Sequence, residues 1–164
     1  MHRNELVVGL DDSPSGEAAL QWAAAEAVRT KAVLRAVHAL SWPFGAESTD
    51  PGVAYRALSH EQVDEIYRAS ITRVFDAVHP RPDWILQFAR GDAGPVLVHQ
   101  SEQAIALVIG TPAHGWLGRL IVESVAHYCL SHAICPVMAV PAPRAQGSAG
   151  RRPSRDLSTT VAPA

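Results

Sequence analysis

Five short apolar segments, separated by stretches with helical periodicity, constrain the fold of this chain more than any other feature. They span residues 6–10, 32–40, 84–89, 105–109 and 136–140. The first and the fourth show no alternation of apolar and polar side chains, which is typical of strands buried on both faces. The order β-α-β-α-β-α-β-α-β predicts an α/β fold, a doubly wound five-stranded parallel sheet with helices on both faces.

Local signals place the helices between these strands. Ser13 is a favourable N-cap, and Pro14 suits the first helical position. Residues 59–62 (SHEQ) have the spacing of a capping box, which predicts the start of the second helix. The stripes predicted to face the core on helices one, two and four are Leu20, Ala24, Ala27 and Val28; Val63, Tyr67, Ser70, Val74 and Ala77; and Ile121, Ser124, Val125, Tyr128 and His132.

The composition of the 164 residues fits one domain and excludes several classes of protein. No segment approaches the roughly 18 apolar residues of a membrane span, and two cysteines are too few for a disulfide scaffold. We expect a folded domain at residues 1–143 and a disordered basic tail at residues 144–164, rich in Pro, Gly, Ser and Arg. The domain itself then carries a net charge of about −5, which disfavours nucleic-acid binding. With no membrane span and few cysteines, we expect a soluble cytoplasmic protein that does not bind membrane.

Two loops are the best candidates for a ligand site, because open α/β sheets bind ligands outside the carboxyl ends of their strands. They follow strands one and four, at residues 11–16 (DDSPSG) and 110–118 (GTPAHGWLG). The second loop has the G-x-x-x-x-G spacing of a P-loop, but Trp116 replaces the lysine, so a P-loop is rejected. A response-regulator receiver is also rejected, since an aspartate after strand three and a lysine after strand five are missing.

Catalytic and metal chemistry have little support in the sequence. His127, Cys129, His132 and Cys135 lie close together in the chain, but the two histidines are five residues apart on a predicted helix and do not share a face. Buried thiols are the favoured interpretation of both cysteines. The nucleophile-elbow pattern G-x-S-x-G is absent. We therefore predict no catalytic residue and no metal ligand.

Four blocks of the sequence resemble the universal stress protein (UspA-like) family. Residues 7–13 (VVGLDDS) are similar to its V-V-G-x-D-G-S opening, and residues 91–92 (GD) to its G-D turn before a helix. Residues 108–126 contain VIGT, HG and SVA in the order of the family's V-V-G-(S/T), H-G and G-S-V-A elements. Residues 132–137 (HAICPV) match its H-A-x-C-P-V ending. The resemblance covers residues 5–141.

The resemblance implies a strand order of 3-2-1-4-5 and a homodimer that pairs through strand five, at Val137, Met138, Ala139 and Val140. Many members of the family bind ATP through a G-x-x-G-x9-G-(S/T) motif. By position, Gly110 is its first glycine and Ser124 its hydroxyl, while Asp11 and Ala39 fall on the adenosine side. The nucleotide-site residues that the resemblance implies are Gly9, Leu10, Asp11, Ala39, Ile109, Gly110, Thr111, Ala113, His114, Gly115, Glu123, Ser124 and Val125.

Three departures weaken this ATP motif. Ala113 and Glu123 replace its second and third glycines, and Asp12 replaces the usual glycine of the opening block. A carboxylate repels a triphosphate, and a β-carbon hinders the approach of backbone to a ligand. We expect a non-enzymatic, homodimeric stress-response protein with weakened or lost ATP binding, with ATP or AMP as candidate ligands. A functional ATP or AMP sensor is the alternative, and a nucleotide hydrolase is disfavoured because S-G-G-x-D does not follow strand one.

Overall fold

The computed structural model describes residues 4–40, 60–111 and 119–143, and for residues 60, 61, 63 and 119–124 it describes the backbone alone. The predicted tail at residues 144–164 lies outside these ranges, as does the loop that precedes the second helix. Within them, five strands alternate with four helices: β1 (Glu5–Gly9), α1 (Pro14–Thr30), β2 (Val33–Leu40), α2 (His60–Asp76), β3 (Ile85–Arg90), α3 (Ala93–Gln100), β4 (Ala106–Thr111), α4 (Arg119–His132) and β5 (Val137–Pro141).

The five strands form one parallel sheet in the order β3-β2-β1-β4-β5, which confirms the predicted fold class and strand order. The central strand β1 is almost fully buried, as its unbroken apolar run predicts. Helices α1 and α2 cover one face of the sheet, where Leu20 and Ile71 are buried. Helices α3 and α4 cover the other face with Leu97 and Cys129. None of the described helices is long and apolar enough to cross a membrane.

The predicted start of α1 is confirmed in detail. Ser13 has extended backbone and accepts a hydrogen bond at its Oγ from the Gly16 N–H, at 3.0 Å. Pro14 occupies the first helical position, where a backbone N–H has no acceptor within the helix. The N–H that proline lacks therefore costs no helical hydrogen bond. At the other end, Lys31 takes the left-handed conformation with φ 56° and ends the helix. These local signals fix where α1 lies relative to the end of β1.

The face predicted for α2 is wrong in part. Val74 packs against the core as predicted, but the buried side chains are Ile71 and Phe75, and Tyr67, predicted as a core residue, is 48% exposed. The helix carries two apolar stripes, and periodicity cannot choose between them, because the choice depends on which stripe meets the sheet. The stripe predicted for α4 is wrong in part, since His132 is exposed and the core residue of the last turns is Cys129.

A polar network crosses the amino-terminal half of the sheet on the α3 and α4 face. The Arg35 guanidinium donates to both carboxylate oxygens of Glu5, at 2.9 Å each. It also donates to the side-chain oxygens of Gln87 and Gln100, at 3.1 and 2.7 Å, and to the Gln100 carbonyl at 2.8 Å. The charge of this largely buried arginine is therefore paired and hydrogen-bonded.

Candidate functional site

An open crevice of about 520 Å³ lies where the carboxyl ends of β1, β2 and β4 meet. The chain reverses its direction of travel across the sheet between β1 and β4, which is where open α/β sheets bind ligands. Seven residues that the sequence analysis assigned to a nucleotide site line its wall: Gly9, Leu10, Asp11, Ala39, Ile109, Gly110 and Val125. The fold therefore brings together residues from four separate parts of the chain.

Other residues of the predicted set do not line this wall in the part of the chain that is described. Thr111 ends β4, and its carbonyl oxygen accepts a hydrogen bond from the Ala142 N–H at 2.8 Å. Glu123 and Ser124 belong to α4 and directly precede Val125. The side chains of these two residues lie outside the described part, together with Ala113, His114 and Gly115.

The turn between β1 and α1 is built around one oxygen of Asp11. Its Oδ1 accepts hydrogen bonds from the Ser13 N–H at 3.1 Å and from the Ser13 hydroxyl at 2.5 Å. The Ser13 Oγ in turn lies 2.9 Å from the Ser15 Oγ. Both of these contacts use Oδ1, so within the described ranges they leave Oδ2 to accept from a ligand. Asp11 thus combines a structural role in this turn with a position on the crevice wall.

Glycine at position 110 allows the first turn of α1 to approach β4 closely. A β-carbon on Gly110 would lie 2.4 Å from the Ser15 carbonyl oxygen, a distance that neither backbone could accommodate without shifting. Gly16 is constrained in the same turn, because a β-carbon there would lie 2.7 Å from the Asp11 carbonyl oxygen. The amino terminus of α1 is therefore held against the crevice by backbone-to-backbone packing.

One end of the crevice is apolar. Val37, Leu97 and Ile109 are buried side chains of its wall, and Ala39 and Val125 continue the surface. Nine lining residues are absent from the predicted nucleotide set: Ser13, Pro14, Ser15, Gly16, Val37, His38, Ala93, Leu97 and Ala142. The first four belong to the loop at residues 11–16, which was predicted to line a ligand site. Ala93 and Leu97 could not be predicted, because their place on the wall depends on how α3 packs.

His38 links the crevice wall to α2. Its Nδ1 lies 2.7 Å from the Leu10 carbonyl oxygen, and since a carbonyl only accepts, Nδ1 carries the hydrogen. The imidazole stacks against Tyr67 with 6.3 Å between ring centroids and meets the edge of Phe88 at 5.9 Å. This histidine is consequently held in one orientation by the end of β1 and by aromatic neighbours.

The charge of the crevice is negative in its described part. Asp11 lies on the wall with an exposed carboxylate, and Asp12 follows it on the same turn. None of the described lining residues is a lysine or an arginine. The dipole at the α1 amino terminus would therefore attract a polyanionic ligand, but no cationic side chain on the described wall would pair with it.

Comparison with known sequences gives a consistent family. A model of the universal stress protein family matches residues 2–141. Universal stress proteins of two Mycobacterium tuberculosis strains are 34% identical to this chain over 146 residues, covering 82% of the chain and 46% of each relative. The chain thus spans about half the length of the curated relatives it matches.

Comparison with solved structures gives the same fold. A universal stress family protein from Burkholderia pseudomallei superimposes with a TM-score of 0.61 at 24% identity, covering 85% of this chain and 96% of that one. The Archaeoglobus fulgidus universal stress protein in complex with dAMP gives 0.58 at 21% identity, with coverages of 85% and 99%. A universal stress protein in complex with cAMP gives 0.57 at 21% identity, with coverages of 87% and 100%.

Proposed function

Because the chain belongs to the universal stress protein family, we propose that it is a non-enzymatic, homodimeric, cytoplasmic protein of the stress response. Its crevice holds an adenine nucleotide by the nucleoside and holds a triphosphate weakly or not at all. The observation that carries this proposal is a contrast between the described crevice wall and the sequence of the ATP motif. The wall includes Asp11 and an apolar surface, whereas the motif that serves the phosphates in the family has lost two of its three glycines.

The nucleoside end supports binding of a base and a ribose. The apolar surface of Val37, Leu97 and Ile109 suits the face of a flat base, and burying it stabilises the complex. Asp11 lies on the same wall with Oδ2 free of the contacts that hold the turn. A carboxylate oxygen in this position can accept both hydroxyl hydrogens of a ribose diol.

The residues of the phosphate-binding motif support weakened binding of ATP. Ala113 stands where the motif has a glycine, and Glu123 adds a carboxylate where the motif brings backbone to the phosphates. Each like charge near a triphosphate raises the free energy of the complex, and the effect grows with the number of phosphates. A monophosphate is therefore favoured over a triphosphate. Two of the structural neighbours are described as complexes with cAMP and dAMP, which are monophosphates as well.

A functional sensor that binds ATP as well as AMP is the second candidate. The amino terminus of α1, where Ser13, Ser15 and Gly16 line the wall, favours it, because a helix amino terminus attracts phosphate through its dipole and free N–H groups. Equal affinities for ATP and AMP would favour this candidate over weakened ATP binding.

The nucleotide proposal is tested by what the purified protein carries and binds. Denaturation followed by mass spectrometry of the released small molecules should find an adenosine monophosphate and no ATP. Calorimetric titration should then give a smaller dissociation constant for AMP than for ATP, with ATP recovered intact after incubation. Tighter binding of ATP than of AMP, or release of phosphate from ATP, would contradict the proposal.

The proposed homodimer pairs through β5. This strand lies at one edge of the sheet, and its Met138 and Ala139 are exposed. Leu130 and Ile134, near the start of the strand, are exposed by 60% and 74%. An exposed apolar strand at a sheet edge favours pairing with another chain, here a second copy.

Substitution of Met138 by glutamate tests this interface, because a buried unpaired carboxylate would oppose association. Light scattering should show a dimer for the unaltered protein and a monomer for Met138→Glu. Ile85→Glu is the matched control, since Ile85 is equally exposed on the opposite edge strand β3. A monomer before any substitution, or dissociation by the control variant alone, would contradict pairing through β5.

A further inference from the structure

The described wall of the crevice offers the phosphate of a nucleotide no charged partner. A phosphate monoester carries about −1.5 to −2 charge near neutral pH, and the exposed carboxylate of Asp11 lies on the same wall. The amino terminus of α1 supplies N–H groups and a dipole that is equivalent to about half an elementary charge. With the dipole alone, most of the charge of the phosphate would remain without a counter-charge.

The lysine and arginine side chains that the structure describes all lie away from the crevice wall. Arg35 is held by the carboxylate of Glu5 in the amino-terminal half of the sheet. Arg68 lies over an aromatic ring of β3, and Arg90 forms an ion pair with a carboxylate of α2. The others belong to the last turns of α1 and α2 or follow them, near the opposite edge of the sheet: Arg29, Lys31, Arg73 and Arg81.

The chain leaves the sheet at the wall of the same crevice. The Ala142 N–H donates to the Thr111 carbonyl oxygen at 2.8 Å, which extends the pairing of β4 and β5 by one residue beyond Pro141. Ala142 lines the crevice on the side of β4 and β5, whereas Ala39 lines it on the side of β2. A nucleotide whose base lies toward β2 would therefore extend its phosphate toward Ala142.

An arginine follows Ala142 by only two positions. The described part of the chain ends at Pro143, and Arg144 is the next residue in the sequence. Two residues of chain span at most about 7 Å, a covalent limit that holds in any conformation. The long side chain of arginine can cover a comparable distance back to the wall. Arg144 also begins the most basic stretch of the sequence, which continues with Arg151, Arg152 and Arg155.

We propose that Arg144 is the phosphate-binding residue of the crevice. Its role rests on the nucleotide binding proposed above and specifies how the same site holds the phosphate. An arginine and a phosphate form charge-assisted and often bidentate hydrogen bonds, and the guanidinium charge offsets the repulsion between the phosphate and Asp11. A partner for the first phosphate adds nothing for the further phosphates of ATP, so the preference for a monophosphate is kept.

Calorimetry of the full chain with AMP and with adenosine tests this role, because the two ligands differ only in the phosphate. Arg144→Gln should weaken AMP by about tenfold and leave adenosine unchanged. An equal loss for both ligands would show a structural effect and overturn the proposal. Unchanged or tighter AMP binding would overturn it as well, since a tighter complex would mean that the arginine opposes the nucleotide.

Three further variants locate the contact. Arg81→Gln makes the same change of charge at an exposed residue away from the crevice, and should leave AMP binding unchanged. Arg119→Gln changes the first residue of α4 and should weaken AMP less than Arg144→Gln does. Substitution of all three distal arginines, at positions 151, 152 and 155, should also have the smaller effect. A loss in any of these variants that equals or exceeds the loss in Arg144→Gln would overturn the assignment.

Salt dependence and adenosine complete the test. Raising the salt concentration should weaken AMP more than adenosine, and Arg144→Gln should remove most of that difference, because salt screens the charge pair. The same salt dependence in the variant and in the unaltered protein would overturn the role of Arg144. If adenosine and AMP bind equally well to both proteins, only that role fails and the nucleoside site stands. If neither ligand binds the unaltered protein, the proposed function fails together with it.

Discussion

The α-carbon of Gly110 faces the carbonyl oxygen of Ser15 so closely that a β-carbon on Gly110 would lie 2.4 Å from that oxygen. The first glycine of the nucleotide motif is therefore required by the packing of α1 against β4, whether or not a ligand is bound. In our proposal, Ala113 and Glu123, which replace the other two motif glycines, are the positions that affect binding of the ligand. Retention of Gly110 alone is no sign that ATP binding is retained.

Gly110→Ala should destabilise the protein by about 2–3 kcal/mol, because the new β-carbon meets backbone atoms that cannot move aside. Gly9→Ala should cost less, since the β-carbon there meets the flexible end of Leu97, 2.8 Å away. Urea denaturation of both variants measures the two losses. A Gly110→Ala protein that is at least as stable as Gly9→Ala would contradict the close packing of α1 on β4.

Asp11→Asn should distinguish the role of Asp11 in the turn from its proposed role in binding the ribose. The amide oxygen can replace Oδ1 and keep the bonds from Ser13, so stability should change by no more than about 0.5 kcal/mol. The amide nitrogen would stand at Oδ2, where it cannot accept from ribose hydroxyls, so the AMP affinity should fall by about tenfold. Asp11→Ala, which loses both roles, should also lose about 1 kcal/mol of stability. Unchanged AMP binding in Asp11→Asn would contradict the role proposed for Oδ2.

Arg35→Met should destabilise the protein by about 3–5 kcal/mol, because it leaves the buried carboxylate of Glu5 without its partner. The double variant Glu5→Gln with Arg35→Met should recover much of that loss, since no unpaired charge remains. Chemical denaturation of both single variants and the double variant gives the coupling free energy. A double variant whose loss equals the sum of the single losses would show that the two residues act independently.

Stability at alkaline pH should depend on Cys129. Burial, with a smaller contribution from nearby Cys135, raises the pKa of the Cys129 thiol from 9.0 to about 11. Between these values the unfolded chain has lost the thiol proton and the folded chain has kept it, so the free energy of unfolding should fall as the pH rises through this window. Below pH 9.0 the thiol makes no such contribution.

Urea midpoints measured at about pH 8 and about pH 10.5 test this dependence. Cys129→Ala should be less stable at the lower pH, because it leaves a cavity, but its midpoint should fall less between the two pH values. Cys135→Ala should retain most of the slope, since burial and not Cys135 is the larger cause of the raised pKa of Cys129. The same slope in the unaltered protein and in Cys129→Ala would contradict the account.

The sequence predicted those elements whose signals are local. Ser13 and Pro14 mark the start of α1 by their own hydrogen-bonding properties, and the apolar runs at β1 and β4 identify buried strands without any tertiary information. The strand order followed from the family resemblance, and the structure agrees with it. The crevice could be placed because the carboxyl ends of parallel strands meet at one edge.

Features that depend on packing between distant segments could not be predicted from the sequence. The pair Glu5 and Arg35 is separated by 30 positions, and nothing local marks either residue as buried. The choice between the two apolar stripes of α2 depends on the sheet beneath Ile71 and Phe75. The same applies to Leu97, which reaches the crevice wall only because α3 packs across β1 and β2.

The central claim, that the crevice retains its nucleoside end and has lost its triphosphate end, is tested most directly by restoring the motif. ATP and AMP are titrated calorimetrically into the unaltered protein and into the double variant Ala113→Gly with Glu123→Gly. We expect the double variant to bind ATP at least about tenfold more tightly than the unaltered protein, with little change for AMP. Micromolar ATP affinity in the unaltered protein, with no gain in the double variant, would contradict the claim.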